Sequence, residues 1–352
     1  MHSSRIETRR CGASALNLPS LGMGCWAFGG GEYWGPRSQT DVDQLTRRAL
    51  DFGCNYFDTA ESYNAGASEE SLGLALKGIP RDQVAIGTKI SPSNAAPKNL
   101  VAHCEASLRR LQTNYIDIYM VHWPITPPAI RHFNSDRVEA PNALEVFAKL
   151  DQLKHQGKIR HIGVSNFGRT RLEEALSAGV EIAVNELPYS LLTRAIEIEI
   201  LPYCQAKGIG VIGYMALMQG VLSDVYPRLA DVPPARRRTR HFDSQFTPNC
   251  RHGLNGVQKE TEDALSAIRH IAKSCGLTTS EIALQWTLAN PNLTSSLCGS
   301  RNISQLEMNI NAASIRMDSA VMDRLNRATQ SLLGKLGPSF DYYESPENDR
   351  TR

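Results

Sequence analysis

The chain has 352 residues, of which 41% are hydrophobic and 21% are charged, and its formal net charge is +2. This length and composition are typical of a folded protein with a large core, which excludes wholesale disorder. The small net charge gives no electrostatic reason to expect a nucleic-acid or anionic-membrane partner. Because no run of about 18 apolar residues occurs, we expect no transmembrane helix.

The cysteines and the N-terminal residues indicate the compartment. Residues 1–10 are polar and basic and lack the apolar stretch of a secretory signal. The eight cysteines are scattered along the chain, without the Cys-x-x-Cys or Cys/His spacing of a zinc site. We therefore predict mostly buried, free thiols, no metal site and a cytoplasmic protein.

Short apolar strands alternate with amphipathic helices along most of the chain, a pattern typical of a parallel sheet. A hairpin over 5–18, broken at Gly12, precedes them. Strands are predicted over 21–24, 56–58, 84–89, 117–122, 162–165, 182–186, 210–214 and 294–299. Helices are predicted over 41–52, 69–76, 99–111, 143–156, 169–178, 196–207, 260–274, 279–289, 304–313 and 319–332.

These strand–helix units predict an α/β protein, a closed (β/α)8 TIM barrel with an N-terminal hairpin. A doubly wound open sheet is the alternative. A long loop without clear periodicity, about 223–256, follows the seventh barrel strand. We expect one domain over 1–352, made of the hairpin 5–18, the barrel 19–313, and a C-terminal helix and tail 314–352. The last residues, 334–352, are expected to pass from ordered to frayed.

One glycine motif resembles a dinucleotide-binding fingerprint without its context. Gly208, Gly210 and Gly213 match G-x-G-x-x-G, but a helix precedes them and a strand contains them. In a true fingerprint, the strand comes first and the pyrophosphate meets the N-terminus of the following helix. We therefore interpret Gly208 as a helix C-cap and the other two as strand residues.

Active sites of barrels lie at the carboxyl ends of the strands. The polar residues at or just beyond successive strand ends are Asp58, Tyr63, Lys89, His122, Ser165, Asn166, Glu186 and Tyr214. A lysine or histidine at one such position is usually a solvated charge or a structural residue. Because the strand ends converge on one mouth, several of them together predict a catalytic centre.

Four of these residues can act together as an acid. An ammonium beside Tyr63 stabilises the phenolate and lowers the pKa of the phenol, and Lys89 can supply it. Asp58 would keep Lys89 charged and oriented, and a neutral His122 would hydrogen-bond a substrate carbonyl. Such an acid can protonate a developing alkoxide but cannot reduce a carbonyl, so a bound hydride donor is implied.

Several ordered motifs resemble those of the aldo-keto reductases. They are Phe-Asp-Thr-Ala-Glu-Ser-Tyr at 57–63, Gly-Thr-Lys at 87–89, Val-His-Trp-Pro at 121–124, Gly-Val-Ser-Asn-Phe at 163–167, Gly-Ser-Arg at 299–301 and Gln-Leu-Glu-Met-Asn at 305–309. The resemblance extends from about Leu21 to Asn311. It implies a TIM barrel that reduces aldehydes or ketones with a nicotinamide cofactor, usually NADPH, with NADH as the less favoured possibility.

The resemblance also implies a role for each matching residue. Tyr63 would be the general acid, supported by Lys89 and Asp58, with His122 orienting the carbonyl. Ser165, Asn166 and Glu186 would contact the nicotinamide carboxamide, and Tyr214 would stack on its ring. The residues implied along the rest of the cofactor are Leu217, Gln219 and Gly220 at the pyrophosphate, and Gly299, Ser300, Arg301, Gln305 and Asn309 at the adenosine end. Arg301 is the expected partner of the 2′-phosphate.

Two positions depart from the family's usual pattern. Glu186 stands where most relatives have Gln, and an ionised Glu could accept from the carboxamide NH₂ but could not donate. Met308 stands where many relatives have a Glu that contacts the adenine amine. Both changes leave the NADPH/NADH preference open.

The expected substrate pocket is aromatic, formed by Trp26, Tyr33, Trp34 and Trp123. Trp34 could instead be a surface-loop anchor. The cationic segment 236–241 is either a solvated run of charge or a source of arginines for the cofactor pyrophosphate or a polar substrate. The Trp- and Arg-rich rim favours a sugar or oxidised-sugar carbonyl as substrate. The oligomeric state and the physiological direction stay open.

Two other classes of function are alternatives to a small-molecule reductase: a regulatory binding subunit and a metal-dependent hydrolase. Some barrels that resemble this family are cofactor-binding regulatory subunits of channels, and an intact tetrad does not separate them from enzymes. The absence of a long extra N-terminal segment in this sequence favours the enzyme. A metal-dependent barrel hydrolase would need His and carboxylate ligands at several strand ends, typically with His-x-His after the first strand, and that pattern is absent.

Overall fold

The computed structural model describes residues 6–136, 139–247 and 250–352. Two short strands, β1 (Thr8–Arg10) and β2 (Asn17–Pro19), form an antiparallel hairpin. The barrel strands are β3 (Leu21–Gly24), β4 (Tyr56–Asp58), β5 (Ala85–Ile90), β6 (Ile116–Val121), β7 (Ile159–Ser165), β8 (Ile182–Pro188), β9 (Gly210–Tyr214) and β10 (Ser295–Cys298). All neighbouring barrel strands are parallel, and β10 pairs with both β9 and β3. The (β/α)8 prediction is confirmed, and the open-sheet alternative is wrong because the sheet has no free edge.

The helices surround the barrel. They are α1 (Gln39–Asp51), α2 (Ala67–Ala75), α3 (Pro97–Arg110), α4 (Pro127–Phe133), α5 (Ala143–His155), α6 (Arg169–Leu176), α7 (Ile200–Ala206), α8 (Gln258–Ser274), α9 (Thr279–Ala289), α10 (Ile303–Ala313) and α11 (Ser319–Leu336). Most predicted bounds fall within a few residues of these. The short helix α4 was not predicted, and it begins at two prolines that suit a first helical turn.

The N-terminal hairpin closes the amino end of the barrel. Its apolar residues Cys11, Leu16 and Leu18 pack with Tyr56 and other side chains inside the barrel. The hairpin is confirmed, although the predicted first residue, Arg5, lies outside the described residues. Gly208 has a φ of +68° just after α7, while Gly210 and Gly213 lie within β9, which confirms the interpretation of this glycine motif.

The long loop after β9 is folded back onto the barrel. In its described residues, it forms short 3-10 turns at Leu229–Asp231, Pro234–Arg236 and Ser244–Phe246. The side chain of Arg240 is buried, and it donates to the carbonyls of Leu336 (2.7 Å) and Ser339 (2.6 Å). The imidazole of His241 is buried against the carbonyl of Leu192. The loop is therefore held by buried hydrogen bonds at its middle.

The C-terminal tail is packed against the barrel nearly to its end, so the expectation of fraying is wrong. Asp341, Tyr342, Arg350 and Thr351 are buried. The carbonyl of Thr351 accepts from the backbone N–H of Gly168 at 2.8 Å. The sequence signal is weak here because the tail is polar and without periodicity, while its order comes from long-range contacts.

The eight cysteines are free thiols, six of them buried, as predicted. No helix in the described parts of the chain combines the length and apolar character needed to span a bilayer. Among the same residues, no group of three or more His, Cys, Asp and Glu side chains is placed to bind a metal ion.

The turn of the hairpin provides a stability test. A methyl group at Gly12, where φ is +55°, would overlap the carbonyl of Gly208. We expect Gly12→Ala to lower the free energy of unfolding by at least about 2 kcal/mol, because steric overlap adds to backbone strain. Gly276→Ala is the control, since Gly276 has a φ of +69° but nothing within 4 Å of the added atom. Equal losses for the two variants in urea unfolding would contradict the packing of the hairpin against β9.

Candidate active site

A cleft of about 1090 Å³ opens at the carboxyl ends of the barrel strands. Asp58, His122, Ser165, Glu186 and Tyr214, each at or next to a strand end, line it. A second cleft of about 630 Å³ lies beside α2 and α3, away from these strand ends. The predicted polar residues therefore do converge on one mouth.

Lys89 is fully buried beneath the floor of the cleft, in contact with the lining residues Asp58 and Tyr63. Its ammonium Nζ lies 2.5 Å from Asp58 Oδ1, 3.0 Å from the carbonyl of Thr59 and 3.4 Å from Tyr63 Oη. The pairing of β4 with β5 explains this, because Asp58 lies opposite Gly87 and Lys89 follows on the same face of β5. The structure thus brings the predicted acid together with its lysine and aspartate.

His122 stands beside the phenol of Tyr63, at the end of β6. The two ring centroids are 5.6 Å apart in an edge-on arrangement, and His122 Nδ1 lies 3.4 Å from the hydroxyl of Ser62. Burial, followed by the charge of Lys89, holds the pKa of His122 well below 6.5. The imidazole is therefore neutral at physiological pH, as the sequence-based mechanism requires.

The pKa of Tyr63 is raised above its ordinary value in the protein alone. Burial of the phenol is the largest cause, and the charges of Asp58 and Glu186 act in the same direction. Lys89 lowers the pKa as expected, but it does not outweigh burial. The pKa of Lys89 itself is raised: burial is the largest single influence and lowers it, but the acidic groups around the ammonium, Asp58 foremost, and the hydrogen bond to Asp58 together outweigh burial. Tyr63 is thus a protonated acid beside a charged ammonium.

Glu186 faces the same lysine from the opposite wall of the barrel. Its Oε2 lies 3.4 Å from Lys89 Nζ, and this atom has no hydrogen-bond partner among the described residues. Burial, followed by the charge of Asp58, raises the pKa of Glu186 well above 4.5. Two carboxyl groups beside one buried ammonium repel each other when both are ionised, and this repulsion adds to the desolvation cost. Glu186 therefore holds its proton more strongly than an exposed glutamic acid does.

Asn166 and Tyr214 are joined at the centre of the cleft. The hydroxyl of Tyr214 donates to Asn166 Oδ1 at 2.7 Å, and Asn166 Nδ2 donates to the carbonyl of His122 at 3.2 Å. Asn166 has a φ of +64°, an uncommon conformation for a non-glycine residue. Together with Ser165, these side chains present amide and hydroxyl groups above the catalytic floor.

The loop that leaves β9 is strained where it lines the cleft. Met215, Met218 and Gln219 have φ values of +65°, +44° and +55°. Leu217, Gln219 and Gly220, the residues predicted for the cofactor pyrophosphate, line the cleft. Such conformations persist only where the surrounding structure enforces them, and they cluster at ligand sites.

The predicted adenosine-end residues surround the N-terminus of α10. Gln305 Oε1 accepts from the backbone N–H of Arg301 at 2.9 Å, and Asn309 donates to the hydroxyl of Ser300 at 3.1 Å. All four line the cleft together with Gly299. Arg37, which sequence reasoning missed, donates to the carbonyl of Arg301. A helix N-terminus with a nearby guanidinium is suited to an anion such as a phosphate.

Met308 also lines the cleft, next to Thr278 and Ser280. Its sulfur lies 3.3 Å from the hydroxyl of Ser280. The departure from the family's usual Glu therefore replaces a charged side chain with a thioether at this end of the cleft.

Three of the four aromatic residues predicted for the substrate pocket line the cleft, and Tyr33 does not. Trp26, Trp34 and Trp123 line the cleft, so Trp34 is more than a surface anchor. Tyr33 is not among the lining residues; it stacks on Trp26 with centroids 5.1 Å apart and donates to Gln219 Oε1. Tyr33 therefore supports the wall from behind.

The cationic segment 236–241 is not a solvated run, because none of its residues is exposed. Arg236 and Arg238 line the cleft, whereas Arg240 and His241 are buried structural residues. Sequence reasoning missed further lining residues, namely His132, Phe133, Arg251, Tyr343 and Arg350. No local pattern marks them, because they come from α4, the long loop and the tail.

The family model of the Aldo/keto reductase family matches residues 20–330. The chain belongs to this family. It is therefore an oxidoreductase that reduces carbonyl groups with a nicotinamide cofactor, as the resemblance implied.

Comparisons with individual proteins agree with this membership. This aldo/keto reductase is 32% identical over 349 residues to the NADH-specific methylglyoxal reductase of Escherichia coli (strain K12), an alignment that covers 91% of this chain and 98% of that one. The crystal structure of an aldo-keto reductase from Klebsiella pneumoniae in complex with NADPH superposes with a TM-score of 0.69 at 26% identity, covering 98% of both chains. A thermostable aldo-keto reductase in complex with the inhibitor epalrestat gives a TM-score of 0.71 at 27% identity, covering 92% of this chain and 100% of that one.

The raised pKa of Glu186 predicts a pH-dependent stability. The folded pKa of this carboxyl is raised above its ordinary value of 4.5, so stability is lost as the pH rises from that value. Glu186→Gln has no such proton to lose. We therefore expect its Tm, measured relative to the wild type, to be higher at about pH 8 than at about pH 5.

Glu262→Gln is the matched control, because it removes the same carboxyl from an exposed position on α8. Its Tm difference from the wild type should be the same at both pH values. A Tm difference for Glu186→Gln that does not change with pH would show that Glu186 is ionised in the folded protein.

Proposed function

We propose that this aldo/keto reductase reduces the carbonyl of a small aldehyde, ketone or sugar to an alcohol with Tyr63 as the general acid. The observation that carries this assignment is the contact of Tyr63 Oη with Lys89 Nζ, itself 2.5 Å from Asp58, on the floor of the cleft. The phenol is the group beside the aromatic pocket that can give up a proton with a fixed cation to stabilise the resulting anion.

In this proposal, the carbonyl oxygen binds between the Tyr63 hydroxyl and the imidazole of His122. Because His122 is neutral, it orients the oxygen by hydrogen bonding without adding a charge. As negative charge develops on that oxygen, Tyr63 donates its proton and Lys89 stabilises the phenolate. The raised pKa of Glu186 favours this step, since a second ionised carboxylate beside Lys89 would oppose the formation of the phenolate.

The nicotinamide cofactor supplies the hydride when it is bound. The cleft fits such a dinucleotide, because polar groups follow one another along it. Ser165 and Asn166 would hold the carboxamide, and Tyr214 would contact the ring. The strained loop with Leu217, Gln219 and Gly220 would cover the pyrophosphate. The adenosine end would lie near Gly299 and Ser300 and at the N-terminus of α10, with Gln305 and Asn309.

NADPH is the cofactor that we propose, in preference to NADH. The exposed Arg301 and its neighbour Arg37 lie at the adenosine end, where a 2′-phosphate would gain from a guanidinium. Glu186 faces Lys89, so the carboxamide would rely on Ser165 and Asn166. The Trp-rich wall and the arginines favour a sugar or oxidised-sugar carbonyl, and we place the protein in the cytoplasm.

Tyr63→Phe tests the general acid. The ring is kept and only the proton is lost, so turnover should fall by at least ~100-fold while NADPH affinity hardly changes. Tyr203→Phe makes the same chemical change on α7, at a residue that does not line the cleft, and should leave turnover intact. Near-normal single-turnover reduction by Tyr63→Phe would contradict the assignment.

Arg301→Ala tests the cofactor preference. It should weaken NADPH binding much more than NADH binding, because only NADPH has a 2′-phosphate to pair with the guanidinium. Arg316→Ala, at an exposed position beyond α10, is the control. If a fluorescence titration showed equal loss of affinity for NADPH and NADH, Arg301 would not be a ligand of the 2′-phosphate.

A further inference from the structure

The C-terminal tail delivers an arginine to the substrate half of the cleft. Arg350 is 3% exposed, lines the cleft, and stacks on Trp123 with its guanidinium carbon 3.9 Å from the ring centroid. Trp123 directly follows His122 in the chain, and both residues line the same cleft as Arg350.

Only one edge of the Arg350 guanidinium is hydrogen-bonded to another side chain. Its Nε and Nη2 donate to the two carboxylate oxygens of Asp341 at 2.7 Å and 2.8 Å. Its Nη1 has no hydrogen-bond partner among the described residues. A buried donor without a partner is costly, and an arginine kept in this state has donors left for a ligand.

Arg238 reaches the same half of the cleft from the long loop. It lines the cleft beside the rings of Tyr33 and Tyr343, at 5.0 Å and 5.7 Å from their centroids. In the described part of the chain it has no ion-pair partner, and its Nε makes no hydrogen bond. Arg238 is thus a half-buried cation whose charge the protein does not neutralise.

The surroundings of these arginines are positively charged overall. Arg251 also lines the cleft and pairs with Glu344 at 2.6 Å, while Asp341 is engaged by Arg350. Burial, then the charges of Arg251 and Arg350, lower the pKa of His132 to about 3. The carboxylates of Asp341 and Glu344 therefore offset the charges of Arg350 and Arg251. The charge of Arg238 is left over, and it faces the aromatic pocket.

We infer that this aldo/keto reductase acts on carbonyl compounds that carry an anionic group, a carboxylate or a phosphate, held by Arg238 and Arg350. The inference rests on the proposed function, because it places the anion in the substrate half of that same site. Arginine suits this role, since its planar fork binds carboxylate or phosphate oxygens in pairs. The aromatic wall would pack on the part of the substrate between the anion and the carbonyl.

Matched substrates test the inference with NADPH at saturation. One pair is para-carboxybenzaldehyde and its neutral carboxamide counterpart, and the other is glyceraldehyde phosphate and glyceraldehyde. We expect kcat/KM to be at least about 10-fold higher for the anionic member of at least one pair, since a charge-assisted hydrogen bond contributes that much or more. A preference in the first pair identifies a carboxylate, and a preference in the second identifies a phosphate.

Variants of the two arginines test whether these side chains cause the preference for anionic substrates. Arg238→Gln should lower kcat/KM for the anionic substrate by at least about 10-fold, mainly by raising KM. It should change kcat/KM for the neutral substrate by less than about two-fold. Arg237→Gln is the matched control, because Arg237 donates to the carbonyls of Val232 and Ala230 and does not line the cleft.

Arg350 needs a variant that keeps its ion pair, because removing it would leave the buried Asp341 without a partner. Arg350→Lys retains the charge but loses the fork, so it should reduce the anionic preference while Tm records whether the fold is kept. If the variant keeps the Tm of the wild type and also its preference for the anionic substrate, Arg350 does not bind the anionic group.

Equal kcat/KM within both pairs of substrates for the wild type would overturn the inference. In that case, reduction of the neutral aldehydes would still support the proposed function. Loss of reduction for every substrate would instead count against the catalytic assignment, so the two failures are distinguishable.

Discussion

A lysine ammonium with no exposed surface has to be surrounded by oxygen atoms, because removing a charge from water costs several kcal/mol. For Lys89 these oxygens belong to Asp58, Thr59, Tyr63 and Glu186. Asp58 and Thr59 are placed by the pairing of β4 with β5, and Tyr63 by the 3-10 turn that follows β4. Glu186 comes from β8, which reaches Lys89 only because the sheet closes into a barrel. The contacts that make burial of this lysine tolerable are thus the ones that prepare the phenol as an acid.

The barrel supplies the floor of the cleft, and segments outside the regular strand–helix units supply much of its wall. Arg240 connects two of these segments, since its backbone N–H donates to the carbonyl of Tyr342 and its guanidinium to the end of α11 and the start of the tail. Because Arg240 is buried, these bonds hold the long loop and the tail together. Neighbouring arginines in one run therefore have opposite roles: Arg240 faces the interior, while Arg236 and Arg238 face the cleft.

Charge is divided unevenly along the cleft. The catalytic floor holds the two carboxyl groups and one ammonium, and Tyr63 stays protonated there. The substrate half has arginines in excess, and the adenosine end has Arg301 and Arg37. A cleft lined by positive charge, with walls of low dielectric, concentrates anions near the site. This arrangement matches a polyanionic cofactor and also agrees with an anionic substrate.

The sequence by itself determined the barrel, the order of its elements and the convergence of Asp58, Tyr63, Lys89 and His122. These properties depend on local periodicity and on the rule that parallel strands end at the same edge, both of which are written in neighbouring residues. The tertiary structure alone decided that Glu186 turns toward Lys89, that Tyr33 supports the wall from behind, and that the tail is ordered and brings Arg350 to Trp123. Each of these depends on a contact between residues far apart in the chain, and no local pattern of side chains records such a contact.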